Sequence, residues 1–278
     1  MDVVRHGSWE LVRATPSPAL REAVVGLCAY TERGAPVRRL ETPGVRIVVI
    51  LSLGPGIHVS GAGRCTSFVA GLHDAHTITE HDGVQDGLQL DLAPLAARRV
   101  FGRPLADLAN RVVELEDVLG PRTGELLERL YEAAGPAARF ALVEAELRRR
   151  LADAPPTPAG VRAALGRVVA TGGREPVGAL AAELGWSRRH LGARVREELG
   201  LSPKTLARIV RFHAVTRRLE HEGGARLAEI ALDCGFYDQA HLNRDFRAFA
   251  GTTPGDYVAR LLPGGGGVAA SDPVAAAA

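Results

Sequence analysis

Six side chains able to ligate a metal or move protons, His73, Asp74, His76, Glu80, His81 and Asp82, fall within ten residues of one another. A barrel site that holds a metal with imidazoles and a carboxylate needs an H-x-H pair, because period two puts alternate residues on one strand face. The spacing here is H-x-x-H-x-x-x-E, which divides the histidines between faces and reads as a polar loop of solvated side chains. No serine nucleophile elbow is present. Lys204 is the only lysine, and it follows no glycine-rich run that could cradle a phosphate. Cys28, Cys65 and Cys234 lie far apart without a C-x-x-C pair, so they imply neither a disulfide framework nor a zinc site and read as buried small apolar residues. No catalytic residue, metal or cofactor is assigned.

A second set of residues is spaced for reading nucleic acid. In residues 227–254, Leu227, Ile230, Ala231 and Cys234 make one helical face, Gly235 breaks it, and Leu242, Phe246 and Phe249 make another. Two short helices with a tight turn form a helix-turn-helix, and the glycine can take the positive φ that ends the first helix. The N-terminal part of the second helix then enters the major groove, where Gln and Arg make bidentate contacts to base edges. Residues 176–200 repeat the pattern: Val177, Leu180, Ala181 and Leu184, a break at Gly185, Ser187 as N-cap, then Leu191, Val195 and Leu199. Between the units, Ser202 caps a long helix that opens with Pro203 and meets no breaker until Gly223 and Gly224.

These residues resemble the AraC/XylS transcriptional regulators, whose DNA-binding domain holds two helix-turn-helix units joined by a long helix. The resemblance is carried by Gly200-Leu201-Ser202-Pro203, the A-x-x-x-GF at Ala231 to Phe236, the R-x-F at Arg244 to Phe246 and the G-x-x-P at Gly251 to Pro254, over roughly the last third of the chain. It implies base-reading roles for Arg189, Arg196, Gln239, His241 and Arg244, and phosphate contacts for Ser187, Arg188, Arg194, Arg208, Arg211, Arg217, Arg218 and Arg247. One departure stands out. The second unit has L-x-R-x-F at Leu242 to Phe246, whereas the first has Leu191-Gly192-Ala193-Arg194-Val195, with Ala193 in the arginine position.

The elements that must position these groups divide the chain. Residues 1–154 hold 18 basic against 20 acidic side chains and residues 155–262 hold 16 against 11, so the positive excess sits where phosphates would be met. With 46% hydrophobic residues the chain can build two cores. In the N-terminal part, Ser17 to Cys28 reads as a capped amphipathic helix and residues 45–54 as a strand apolar on both faces. Thr66 to Leu72 is another strand. Residues 84–92 alternate Val84, Leu88, Leu90 and Leu92 against Gln85, Gln89 and Asp91, a strand with one buried and one polar face. Helices follow at 94–101, 124–134 and 137–151.

The fold class expected is an α+β, β-rich N-terminal domain resembling a cupin, with helices at its end, followed by an all-α double helix-turn-helix domain. The domains would be 1–153 for effector sensing and dimerisation, 154–262 for DNA binding, and 263–278 as a disordered tail. A proline-rich connector at 153–158 divides the first two. No apolar run approaches the ~20 residues of a membrane span, and no leader pattern opens the chain. The expectation is a cytoplasmic, nucleoid-associated, sequence-specific regulator. Its partners are double-stranded promoter or operator DNA, a small-molecule effector of unknown identity, RNA polymerase and a second copy of itself, with no membrane. The competing reading is a metal-dependent enzyme domain fused to a DNA-binding module, for which bound metal at His73 or His76 would speak.

Overall fold

The computed structural model describes residues 1–7, 9–221, 226–263 and 267–270. Its N-terminal half is built from β1 (Asp2–His6), β2 (Trp9–Arg13), β3 (Val24–Arg33), β4 (Val37–Glu41), β5 (Ile47–Ser52), β6 (Ile57–Val59), β7 (Gly63–Cys65), β8 (Phe68–Ala70), β9 (Thr77–His81) and β10 (Val84–Leu92). Helix α1 (Pro94–Phe101) and strand β11 (Val112–Glu114) come next, followed by α2 (Leu115–Leu119), α3 (Thr123–Glu132) and α4 (Pro136–Ala152). Strands β1-β2-β3-β10-β5-β8-β11 form one antiparallel sheet in that order, and β4-β9-β6-β7 form a second.

The alternation in β10 sorts Leu88, Leu90 and Leu92 as expected, but Val84, expected on the same buried face, is 39% exposed, and Gln85 on the polar face is buried. Leu88, Leu90 and Leu92 join a core that also contains Ala97 and Phe101 of α1 and Phe140, Val143 and Leu147 of α4. Gln85 and Gln89, on the opposite face, line a cavity inside the β-rich half. The apolar stripe of α4 is therefore spent on its own half.

Two N-terminal expectations fail. Only Pro18–Leu20 is helical after Ser17, as a short 3-10 turn, and the chain from Val24 onward is strand β3. The spacing of Leu20, Val24 and Leu27 suits a helix, but Val24 and Val25 are β-branched and the segment is paired by β2 on one side and β10 on the other. The supposed polar loop of residues 73–82 contains strand β9. His81 at its end is buried, with Nδ1 accepting the Gly83 N–H at 3.1 Å.

The second half is helical: α5 (Ala159–Ala170), α6 (Val177–Glu183), α7 (Arg188–Leu199), α8 (Pro203–His221), α9 (Leu227–Asp233), α10 (Gln239–Ala250) and α11 (Pro254–Ala259). Ser202 Oγ accepts the Thr205 N–H at 3.0 Å, so α8 starts on the expected cap, while Gly223 and Gly224 lie outside the described residues.

The halves are joined at several points. Arg98 of α1 forms an ion pair with Glu198 of α7, whose side chain is 5% exposed, and the Leu105 N–H donates to the Glu198 carbonyl at 3.0 Å. The supposed tail contributes too. Most of residues 263–278 lies outside the described residues, but the Ala270 N–H donates to the Arg38 carbonyl at 3.0 Å and the Leu40 N–H to the Val268 carbonyl at 2.8 Å. Residues 268–270 thus return to the edge of β4. Their small and β-branched side chains gave no core-forming pattern, and the pairing is made by backbone.

Candidate nucleic-acid interface

Both units end their first helix the same way. Gly185 has φ 66° and Gly235 has φ 80°, the left-handed conformation that lets the chain turn without a Cβ clash. The Trp186 N–H then reaches the Ala181 carbonyl at 2.8 Å, and the Phe236 N–H reaches that of Ala231 at 2.9 Å. Each second helix starts on a side-chain cap. Ser187 Oγ accepts the His190 N–H at 3.1 Å and Asp238 Oδ1 accepts the His241 N–H at 2.6 Å. The Asp238 carboxylate also suits the positive end of the helix dipole.

One face of each second helix is sunk into the domain. Leu191, Val195 and Leu199 are buried in the first, and Leu242, Phe246 and Phe249 in the second. The ring of Phe212 on α8 lies 5.1 Å from Phe246 and 5.3 Å from Phe249, and Tyr257 of α11 closes the cluster 5.4 Å from Phe246. Edge-to-face and tilted pairs at these separations add to the stabilisation from burial itself.

The opposite faces carry the expected residues. Arg189, Ala193 and Arg196 are exposed on α7, and Gln239, Arg244 and Arg247 on α10; Arg188 and Arg217 are exposed as well. His241 is held differently. Its ring packs edge-on against Phe236 at 5.2 Å and its Nε2 lies 4.0 Å from Asp245, so it braces the turn instead of standing on the exposed face. Ser187 is occupied by its cap. Arg194 is half-buried, paired with Glu197 and 3.7 Å from Glu198, and Arg218 is paired with Asp233 at 2.6 Å.

Two of the arginines expected at phosphates are built into the scaffold. Arg208 makes a bidentate pair with the buried Asp245, at 2.8 Å for Nη2 and 3.2 Å for Nε, and its guanidinium lies 4.8 Å over the Phe249 ring. Arg211 donates to the Gly173 carbonyl at 2.6 Å and lies over Phe236; burial, opposed by Asp245 and reinforced by Arg208, lowers its pKa. A signal for the first pair was present in the sequence: Asp245 falls on the same helical face as Leu242, Phe246 and Phe249, and a carboxylate there needs a partner. Tyr237 also escaped attention. It stands in the turn ahead of α10 with 86% of its surface exposed.

The flagged histidines do not converge. His73 holds the Gly71 carbonyl through Nδ1 at 2.8 Å, His76 sits beside Gly251 of the second unit, and His81 lies between Arg39 and Glu32. Among the described residues no three His, Cys, Asp or Glu side chains are grouped as a metal would require. Burial and the neighbouring Asp91 push the Cys28 thiol up to about 11, opposite to the shift that makes a cysteine reactive. The two sheets enclose a cavity of ≈ 320 Å³, lined by residues that include Tyr30, Glu32, Arg39, Ile50, Phe68 and Gln85.

Paired tight-turn helices on one long helix, each presenting an exposed polar face, define a DNA-binding module. Residues 180–260 match the family described as helix-turn-helix domain. This stretch is therefore a helix-turn-helix domain, within the helical half of the chain. Over 93% of the chain's length the fold is similar to that of the K231A variant of apo ToxT from Vibrio cholerae strain SCE256, with 11% identity, a TM-score of 0.50, and coverage of 100% of that chain. The DNA-binding domain of AdpA, a global transcriptional factor solved with a target DNA, is 25% identical with a TM-score of 0.34, covering 37% of this chain and 92% of that one. The C-terminal domain of AraT, a response regulator from Geobacillus stearothermophilus, is 22% identical with a TM-score of 0.35, covering 37% and 85%. No curated protein matches the chain. Among the described residues no helix is long and apolar enough to cross a membrane.

Proposed function

We propose that the protein is a sequence-specific transcription regulator that lays α7 and α10 into successive major grooves about one helical turn (~10 bp) apart. A small molecule held between the sheets of the β-rich half would govern its affinity. Arg189 and Arg196 read bases in the first groove, and Gln239 and Arg244 in the second, with His241 supporting them from the turn. Ser187, Arg188, Arg194, Arg217, Arg218 and Arg247 face phosphates, which position the protein without reading sequence. The observation that carries this reading is that the two units share one backbone and both turn exposed arginines outward from the same helix, α8. Such a regulator works in the cytoplasm at the nucleoid and meets RNA polymerase at the promoter.

Selection of the full chain on a randomised duplex pool tests it. Two enriched half-sites about one turn apart, bound with an affinity that falls steeply as salt rises, are expected. Absence of any enriched site, or binding indifferent to salt, would remove the reading.

A further inference from the structure

The cavity between the sheets has two unlike ends. Ile50 of β5, Val59 of β6 and Phe68 of β8 form a small apolar cluster of their own, with Val48 and Ile57 packed against it. At the other end the registers of β3, β4, β9 and β10 bring Glu32, Arg39, His81 and Gln85 together, with Gln85 opposite Glu32 and His81 on the strand beside Arg39. Arg39 Nη2 donates to Glu32 Oε2 at 2.7 Å, and Arg39 Nη1 lies 2.7 Å from His81 Nε2. Gln85 is only 9% exposed, and its Nε2 has no hydrogen-bond partner. It lines the cavity.

We propose that the cavity binds an uncharged amphiphile, its apolar body on the Ile50, Val59 and Phe68 wall and a hydrogen-bond-accepting end, such as an amide or ester carbonyl, on the Gln85 amide N–H. This rests on reading the cavity as the regulator's effector site. An acceptor is required because a buried amide donor without a partner is costly, and a carbonyl removes that cost. A charged head group is disfavoured by the charges already present. Arg39 is committed to Glu32, and Arg46, the other guanidinium lining the cavity, lies 3.5 Å from Asp91. A carboxylate at the Gln85 end would have to draw Arg39 from Glu32 and leave the Glu32 carboxylate, 14% exposed, without its cation. An ammonium would do the same to Glu32 while facing Arg39. A neutral acceptor disturbs neither pair.

The full chain can be titrated with N-phenyl-1-naphthylamine, a neutral dye that brightens in apolar surroundings, and the dye then displaced with decanamide, decanoate or decylamine below their micelle concentrations. These three differ only in the head group. Decanamide should displace the dye at roughly tenfold lower concentration than either charged chain, the worth of one buried hydrogen bond. Gln85→Leu should raise the concentration of decanamide needed about tenfold while the dye still binds. Gln85→Met, which keeps the length and removes the donor, should do the same and serves if the leucine chain fails to fold. Decanoate or decylamine displacing as well as decanamide would overturn the proposal, as would decanamide displacement unaltered by both substitutions or a failure of all three to displace the dye. Failure of the dye to bind, or binding unchanged when Ile50→Trp fills the apolar end, would overturn both the proposal and the effector reading. Decanamide that binds as expected yet leaves DNA affinity unchanged would sink the effector reading alone.

Discussion

In the first helix-turn-helix unit the turn takes four residues, 184–187; in the second it takes five, 234–238, and the added residue is the exposed Tyr237. The units differ again beneath the surface. The second rests on its own aromatic cluster of Phe212, Phe246, Phe249 and Tyr257 and its own ion pair of Arg208 with Asp245. Where the second has Phe249, the first has Glu198, paired with Arg98 of the β-rich half. Helix α7 therefore takes part of its support from the β-rich half, and α10 carries its support within the helical half.

Breaking each support should separate the two. Phe246→Ala should cost about 3–5 kcal/mol in a denaturant titration, because it empties a fully buried aromatic site. Arg98→Ala leaves the buried Glu198 with only Arg194, 3.7 Å away, and a loss of about 1–3 kcal/mol is expected. Its signature is different: in footprinting, protection of the half-site under α7 should weaken more than that under α10. Equal weakening of both would mean that the two helices share their support.

The helix common to both units supplies a pH-dependent probe. Burial, with Arg46 of the β-rich half and Arg217 adding to it, lowers His213 from 6.5 to about 4. The folded chain therefore keeps this imidazole neutral while the unfolded chain takes up a proton below pH 6.5. Stability is unaffected above that pH, falls as pH drops toward 4 and levels off below, a loss of about 3 kcal/mol from this group. Denaturation curves at pH 7 and pH 5 should show the decline, and His213→Gln should flatten it. A decline of equal size in the variant would assign it to other groups.

Smaller effects test the exposed faces. Arg244→Ala should relax base preference in the second half-site by about 1–3 kcal/mol, while Arg189→Ala should do so by less, since Ala193 leaves the first helix without an arginine at the position of Arg244. Selected sites with equal information in both halves would remove the asymmetry. Smallest of all, Ser187→Ala and Asp238→Ala should each cost about 1 kcal/mol of thermal stability, the second more at low salt because its carboxylate also meets the helix dipole.

What the sequence disclosed follows from the range of the interactions involved. The helix-turn-helix units were legible because caps, glycine turns and apolar spacing are local, and β10 and α1 match their expected bounds of 84–92 and 94–101. Strands β4, β6, β7 and β9 were not. They are three to five residues long, and β4 and β9 turn Arg39 and His81 inward to the cavity, so the usual contrast between apolar inside and polar outside is missing. β3 was misread as a helix because its conformation is set by partners in β2 and β10. The roles of Arg208 and Arg98 depend on acidic partners 37 and 100 residues away. Only the acidic members leave a trace in the sequence, one that escaped attention: Asp245 and Glu198 fall on otherwise apolar helical faces.

The return of residues 268–270 to the edge of β4 has a mechanical consequence. A body tied to another by a single tether can tumble about any axis, and each further point of attachment removes a direction of movement. The helical module leaves the β-rich half through the connector after α4, meets it again at Glu198 of α7, and comes back to it along Arg38 to Leu40. Larger excursions of α10 require the returning strand to peel from β4, the strand whose Arg39 borders the cavity.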